Sequence, residues 1–265
     1  MDKKILITGS TDGIGKLAAI QLAKEGHSVY LHGRNQQKLA TSIEDVKTQS
    51  GSTQVNGFLA DFSDFEAVKT MSREVKNQLP RLDVLINNAG VFNSPKACNK
   101  DGLDMRFVVN YLTPYLLTNE LIPLLKNSNS PRILNLGSAA QAAINLADLK
   151  SGQKLSEQSA YAQSKLALTM WTFHLAEREK GITTIVVNPG SLLDTKMVHE
   201  AFGQVWASAD KGANILRELA TLEKYNDASG KYFDNDKGGF GRAHAEAYDQ
   251  TKSKELIKLT EELIS

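Results

Sequence analysis

Short runs of β-branched and aliphatic residues return along this chain at residues 4–8, 29–32, 55–60, 84–87, 132–136 and 183–187, with longer amphipathic stretches between them. Each run is too short for a helix and reads as a buried strand. The intervening stretches place apolar residues three and four apart, as in Ile14, Leu17, Ala18 and Leu22, or Val68, Met71, Val75 and Leu79, which is the helical period. Strand and helix in strict alternation require a parallel sheet with helices on both faces, because parallel neighbours are joined only by long crossovers. The expected fold is therefore α/β, a single doubly wound domain over residues 1–265 with no internal repeat or linker. Right-handed crossovers gather the carboxyl ends of the strands at one edge, where ligands of such sheets bind.

Composition supports one self-sufficient core. A 265-residue domain buries about three quarters of the surface of its unfolded chain and needs no disulfide or metal. The single cysteine, Cys98, has no partner for an internal bridge, and no histidine lies beside it in sequence to activate it, so it reads as an ordinary thiol. Thirty-one basic residues face 30 acidic ones without any long run of one sign, which argues against a nucleic-acid partner. At the N-terminus Met1-Asp2-Lys3-Lys4 leads into Ile5-Leu6-Ile7, an apolar run too short for a signal peptide or membrane span. A cytoplasmic protein without a membrane anchor is expected. The last third is less regular: residues 191–225 form a candidate substrate lid, and Leu256, Leu259 and Leu263 mark a closing helix.

Directly after the first run comes Thr8-Gly9-Ser10-Thr11-Asp12-Gly13-Ile14-Gly15, and a helical pattern begins at once. Gly9 permits a tight turn, Gly13 lets backbone approach a phosphate, and Gly15 lets helix pack on strand, while the helix N-terminus offers unpaired N–H groups. This is a dinucleotide cradle, making the domain of Rossmann type. The second run ends in His32-Gly33-Arg34. A carboxylate at this point would hold the ribose hydroxyls of NAD and repel a 2′-phosphate. Here Gly33 brings none and Arg34 offers a planar fork of donors, so NADP(H) is the expected cofactor.

Tyr161 and Lys165 stand at i and i+4, on one face of a helix. A free phenol titrates near 10 and is mostly the wrong species to accept a proton at neutral pH, so a neighbouring ammonium is expected to favour the phenolate. With Asp61 after the third run, Asn87-Asn88-Ala89-Gly90 after the fourth, Asn110, Ser138 after the fifth and Pro189-Gly190 after the sixth, the chain resembles the short-chain dehydrogenase/reductase family over residues 5 to about 195. The resemblance implies that Asp61 and Phe62 lie at the adenine, that Asn88, Ala89 and Gly90 run beside the cofactor, and that Thr195 reaches the carboxamide. It implies further that Ser138 donates to the substrate oxygen, that Tyr161 gives or takes the proton, that Lys165 holds the nicotinamide ribose, and that Asn110 anchors a relay water. The family's usual dimer faces correspond to the helical stretches 104–126 and 157–180, whose apolar stripes suit core packing equally well.

Twenty-two residues separate Ser138 from Tyr161, and Leu146-Ala147-Asp148-Leu149, Ala176-Glu177-Arg178-Glu179 and Ser229-Gly230-Lys231-Tyr232-Phe233 are similar to the retinol dehydrogenase and protochlorophyllide reductase branch. Gly137 and Pro114 depart from its pattern. The expected activity is hydride transfer between NADP(H) and a small-molecule carbonyl or alcohol. Phe92, Leu192, Phe202 and Trp206 suggest an apolar substrate. Its rival is a non-catalytic NADP(H)-binding sensor or interaction protein on the same fold, which has no use for Asn110, Ser138, Tyr161 and Lys165 together. A hydrolase is disfavoured because no G-x-S-x-G elbow is present, and the five histidines show no metal-ligand spacing. Pro114, inside an otherwise helical pattern, deletes the bond to the carbonyl of Asn110 and should distort that helix.

Overall fold

In a computed structural model, which describes residues 2–151 and 155–265, the strands and helices alternate along the chain. They run β1 (Lys4–Ile7), α1 (Gly13–Lys24), β2 (Ser28–Gly33), α2 (Gln36–Ser50), β3 (Val55–Leu59), α3 (Phe65–Gln78) and β4 (Val84–Asn87). After α4 (Met105–Phe107) and a π-helical turn (Val108–Leu112) come α5 (Thr113–Leu125), β5 (Arg132–Leu136), α6 (Leu146–Ser151), α7 (Glu157–Arg178) and β6 (Thr183–Asn188). The chain ends with α8 (Lys196–Phe202), α9 (Asp210–Thr221), β7 (Lys231–Asp234), β8 (Gly239–Gly241) and α10 (Gln250–Ile264). Among the described residues eight strands form one sheet in the order β3-β2-β1-β4-β5-β6-β7-β8. Only β8 is antiparallel. Strand order reverses between β1 and β4, so the crevice at their carboxyl ends is the switch point of the doubly wound fold.

Local side chains decide where the helices begin. Asp12 caps α1 by accepting from the Gly13 N–H, Asn35 caps α2, Asp64 caps α3 and Ser156 caps α7, each offering an oxygen to a backbone donor that has no carbonyl of its own. Beyond these caps, the sheet separates two apolar layers. One contains α1, α2 and α9; the other contains α3, α5, α7 and α10.

α10 settles what the stripes on α5 and α7 pack against. The Tyr111 hydroxyl lies 2.6 Å from Thr260 Oγ1, Tyr115 donates to Glu261 at 3.2 Å, and Trp171, fully buried, lies 5.5 Å from the Tyr115 ring. The apolar residues of α5 and α7 are core within one chain, and α10 packs beside Tyr111, Tyr115 and α7.

At three places the structure adds to the sequence pattern. Two strands, β7 and β8, follow the six legible runs; β7 is four residues long and owes its place to pairing with β6. Of the 191–225 stretch, α9 packs against α1 with Ala213, Ile215 and Leu216 in the core, and residues 191–209 lie outside this helix. The distortion expected of the 104–126 stretch at Pro114 takes the form of a π-helical turn at Val108–Leu112. The Thr113 N–H donates to Val108 O, five residues back, in the turn just before Pro114, whose missing N–H cannot pair with Asn110 O.

Candidate active site

The cradle spans the end of β1 and the start of α1. Gly9 has φ +61°, and a Cβ on it would stand 2.7 Å from Ala89 Cα, so the turn tolerates only glycine. A Cβ on Gly15 would meet Asn88 Nδ2 at 2.5 Å, and one on Gly33 would press on the Thr11 methyl at 2.6 Å. Thr8 Oγ1 accepts from the N–H groups of both Asn88 and Ala89 at 3.0 Å, while Asn88 Nδ2 donates to Thr8 O and Gly9 O. Thus the loop after β4 is stitched to the one after β1. At the mouth, Asp12 is held by Lys38 at 2.9 Å, whose hydrogen bond depresses the carboxyl pKa.

His32 locks this cradle from below, a role with no local signal in the sequence. Its Nδ1 accepts from the Gly9 N–H at 3.0 Å, its Nε2 donates to Ala60 O at 3.0 Å, and its ring stacks on Phe62 at 4.0 Å. Burial pushes its pKa down to about 4, so the ring stays neutral and can accept at Nδ1. Ser10 completes the link by accepting from the His32 N–H and donating to Ile7 O. Arg34 and Asp61 stand exposed at the ends of β2 and β3, Asp61 accepting from the Ser63 N–H at 2.9 Å.

Ser138, Tyr161 and Lys165 meet beyond the ends of β5 and β6. Gly137, atypical at this point, is explained by crowding, since a Cβ there would lie 2.8 Å from Val186 Cγ2. One turn of α7 separates Tyr161 from Lys165, whose Nζ stands 5.6 Å over the Tyr161 ring centroid and donates to Leu136 O at 2.7 Å. Lys165 is only 5% exposed, and burial alone pulls its pKa down to about 8. The Tyr161 phenol is pushed up by burial, against which its hydrogen bond with Ser138 works in the opposite direction. The ammonium faces the ring and the Leu136 carbonyl, and desolvation is the larger influence on the phenol. Phe92 packs on Tyr161 with ring centroids 5.0 Å apart.

The Asn110 side chain is fully engaged by its neighbours. Its Oδ1 accepts from the Val91 N–H at 2.8 Å, and its Nδ2 donates to Val91 O and Ser164 Oγ, both at 3.0 Å. The side chain is committed to clamping the loop after β4 onto α7, so any role in a relay belongs to its main chain. Buried Arg106, unremarked in the sequence, performs a similar service. It donates to Phe92 O at 3.0 Å and pairs with Asp104 at 3.1 Å and Glu157 at 2.7 Å.

Pro189, Gly190 and Thr195 follow β6. Thr195 caps α8 and places its methyl 3.6 Å from where a Cβ of Gly13 would be, so this loop closes over the cradle. Asn93 Nδ2 donates to Glu200 O at 3.2 Å, tying α8 to the loop that carries Phe92. Trp206 is 71% exposed, Leu192 is half-buried, and the side chain of Phe202 lies outside the described residues.

The model of the family described as short chain dehydrogenase matches residues 3–206. The chain belongs to the short-chain dehydrogenase family. Mouse retinol dehydrogenase 13 is 34% identical over 251 residues, covering 88% of this chain and 75% of that protein, which places the chain in the retinol dehydrogenase-like branch. Human polyprenol dehydrogenase is 36% identical over 217 residues, covering 78% and 64%. The crystal structure of a short chain dehydrogenase from Escherichia coli CFT073 complexed with NADPH superposes with a TM-score of 0.73 at 26% identity, covering 88% of this chain and 96% of that one. Members of this family are oxidoreductases that use a nicotinamide cofactor. Among the described residues of this member, no helix is long and apolar enough to cross a membrane.

Proposed function

We propose that this short-chain dehydrogenase is an NADP(H)-dependent oxidoreductase acting on an apolar carbonyl or alcohol, with Tyr161 exchanging the proton. The observation that carries this reading is the pair of half-buried Tyr161 and buried Lys165 beside Ser138, at the sheet edge where the glycine cradle opens. The cradle suits a dinucleotide: Gly9 leaves no space for a Cβ, and the first turn of α1 presents N–H groups without intrahelical carbonyls. Gly9, Ser10, Thr11, Asp12, Gly13, Ile14 and Gly15 would hold the pyrophosphate and Arg34 the 2′-phosphate. Asp61 and Phe62 would flank the adenine, and Asn88, Ala89 and Gly90 the ribose path. Tyr161 and Lys165 would hold the nicotinamide ribose, with Pro189, Gly190 and Thr195 at the carboxamide.

NADP(H), when bound, supplies or accepts the hydride. Ser138 and Tyr161 donate to the oxygen on which negative charge develops, stabilising the transition state more than the ground state. Because burial keeps Tyr161 protonated, it stands ready as the acid of carbonyl reduction. Residues 191–209, tied to Asn93, cover the site. The retinol and polyprenol dehydrogenases among its relatives support a long apolar alcohol or aldehyde as substrate class. A panel of isoprenoid aldehydes, ketones and quinones assayed with NADPH on wild type and Tyr161→Phe tests this. The variant, with Lys165 still in place for the ribose, should keep its NADPH affinity within about threefold and lose about a hundredfold or more in turnover; near-normal turnover would refute the role of Tyr161.

A further inference from the structure

The β7–β8 hairpin lies beyond the residues matched to the family model, yet its tip grips the loop that closes over the cradle. That loop is strained. Gly190 has φ +124°, and Leu192, at +45°, is the one non-glycine with positive φ among the described residues. A conformation of this kind persists only where its surroundings over-determine it. Between the two lies Ser191, whose N–H donates to Asp236 Oδ1 at 2.9 Å and whose hydroxyl donates to Asp236 Oδ2 at 2.6 Å. Asn188 Nδ2 adds a third donor at 2.9 Å, and Lys211 Nζ lies 3.7 Å away. On the neighbouring residue, Asn235 Nδ2 donates to Pro189 O at 2.8 Å.

What the turn supports lies directly downstream. The Trp206 N–H donates to Leu192 O at 2.9 Å and the Asp194 N–H to Ala207 O at 2.8 Å, closing the base of the cover. Thr195 then stands over Gly13. Rotation of Ser191 out of its present place would carry Leu192 to Thr195 with it.

We propose that Asp236 is a positioning residue for the nicotinamide half of the cofactor site, holding the Gly190–Leu192 turn through both donors of Ser191. This rests on the cofactor reading given above. Charge-assisted bonds such as these are about twice as strong as neutral ones. The carboxylate is nearly isosteric with an amide, but the amide can accept through only one of its two atoms.

The test is Asp236→Asn, with NADPH and adenosine 2′,5′-bisphosphate titrated separately against wild type and variant. NADPH affinity should fall about tenfold, the scale of one lost charge-assisted bond, while the bisphosphate, which reaches only the adenosine half, stays within about twofold on the same scale. Ser191→Ala, which removes one donor and leaves the acid in place, should show the same split at about threefold. Combining the two should add less than the sum of their effects. Equal losses for both ligands, or no loss for either, would overturn the positioning role while leaving NADPH binding by the wild type intact. Failure of the wild type to bind NADPH would overturn the cofactor reading and this role together.

Discussion

Lys165→Met keeps the length and volume of the side chain while removing a charge from a site that is 5% exposed. Burial pulls the ammonium's pKa from 10.5 to about 8, and a displacement of that size corresponds to about 3 kcal/mol of destabilisation in the charged state. Losing the charge-assisted bond to Leu136 O costs about 2 kcal/mol in return. The variant should therefore be more stable than wild type at neutral pH by about 1 kcal/mol, or a melting temperature about 2 °C higher for a domain of this size. The pH dependence distinguishes this cause from others. Between pH 8 and 10.5 the unfolded chain binds more protons at this lysine than the folded one, so wild-type stability rises with pH across the window. The penalty is fully present below pH 8 and gone above pH 10.5. The advantage of Lys165→Met should shrink over that same interval, while turnover stays at least about a hundredfold below wild type throughout. Thermal melts of both proteins from pH 6 to 10.5 check this. A variant less stable than wild type at pH 7, or an advantage that does not change with pH, would refute the argument that Lys165 is a buried charge held for function.

Arg34→Asp should weaken NADPH about ten- to a hundredfold, the worth of a charge-assisted contact, and affect NADH much less; titration of both cofactors decides it. Gly9→Ala should fold less stably and bind NADPH poorly, because its Cβ would stand 2.7 Å from Ala89 Cα at φ +61°, and an unchanged melting temperature would contradict the geometry. Pro114→Ala returns a backbone N–H opposite Asn110 O, so the π-helical turn before it should relax towards an α-helix. Turnover should slow with an enlarged solvent isotope effect while NADPH affinity stays constant, and an unaltered rate would separate the proline from proton transfer.

Everything read correctly from sequence was carried by near neighbours. The apolar runs mark six strands because burial on both faces of a parallel sheet demands continuous hydrophobicity. Gly9 marks a turn that only glycine can make, and Tyr161 and Lys165 share a face because a helix repeats every 3.6 residues. Separations this short leave a local signature. The Lys231-Tyr232-Phe233 stretch was legible as a branch motif but not as strand β7, whose four residues owe their placement to β6 more than forty positions earlier. Ser191 and Asp236 are 45 residues apart, and the partners of His32, Arg106 and Asn110 are likewise chosen by the fold. The stripes on α5 and α7 looked the same in sequence whether covered by a second chain or by α10; only the packed chain shows Thr260 against Tyr111. The direction of the Tyr161 pKa has the same origin. Helical spacing brings a cation near the phenol, but whether that cation or desolvation prevails depends on how much water remains around both groups, and exclusion of water is a property of the packed tertiary structure.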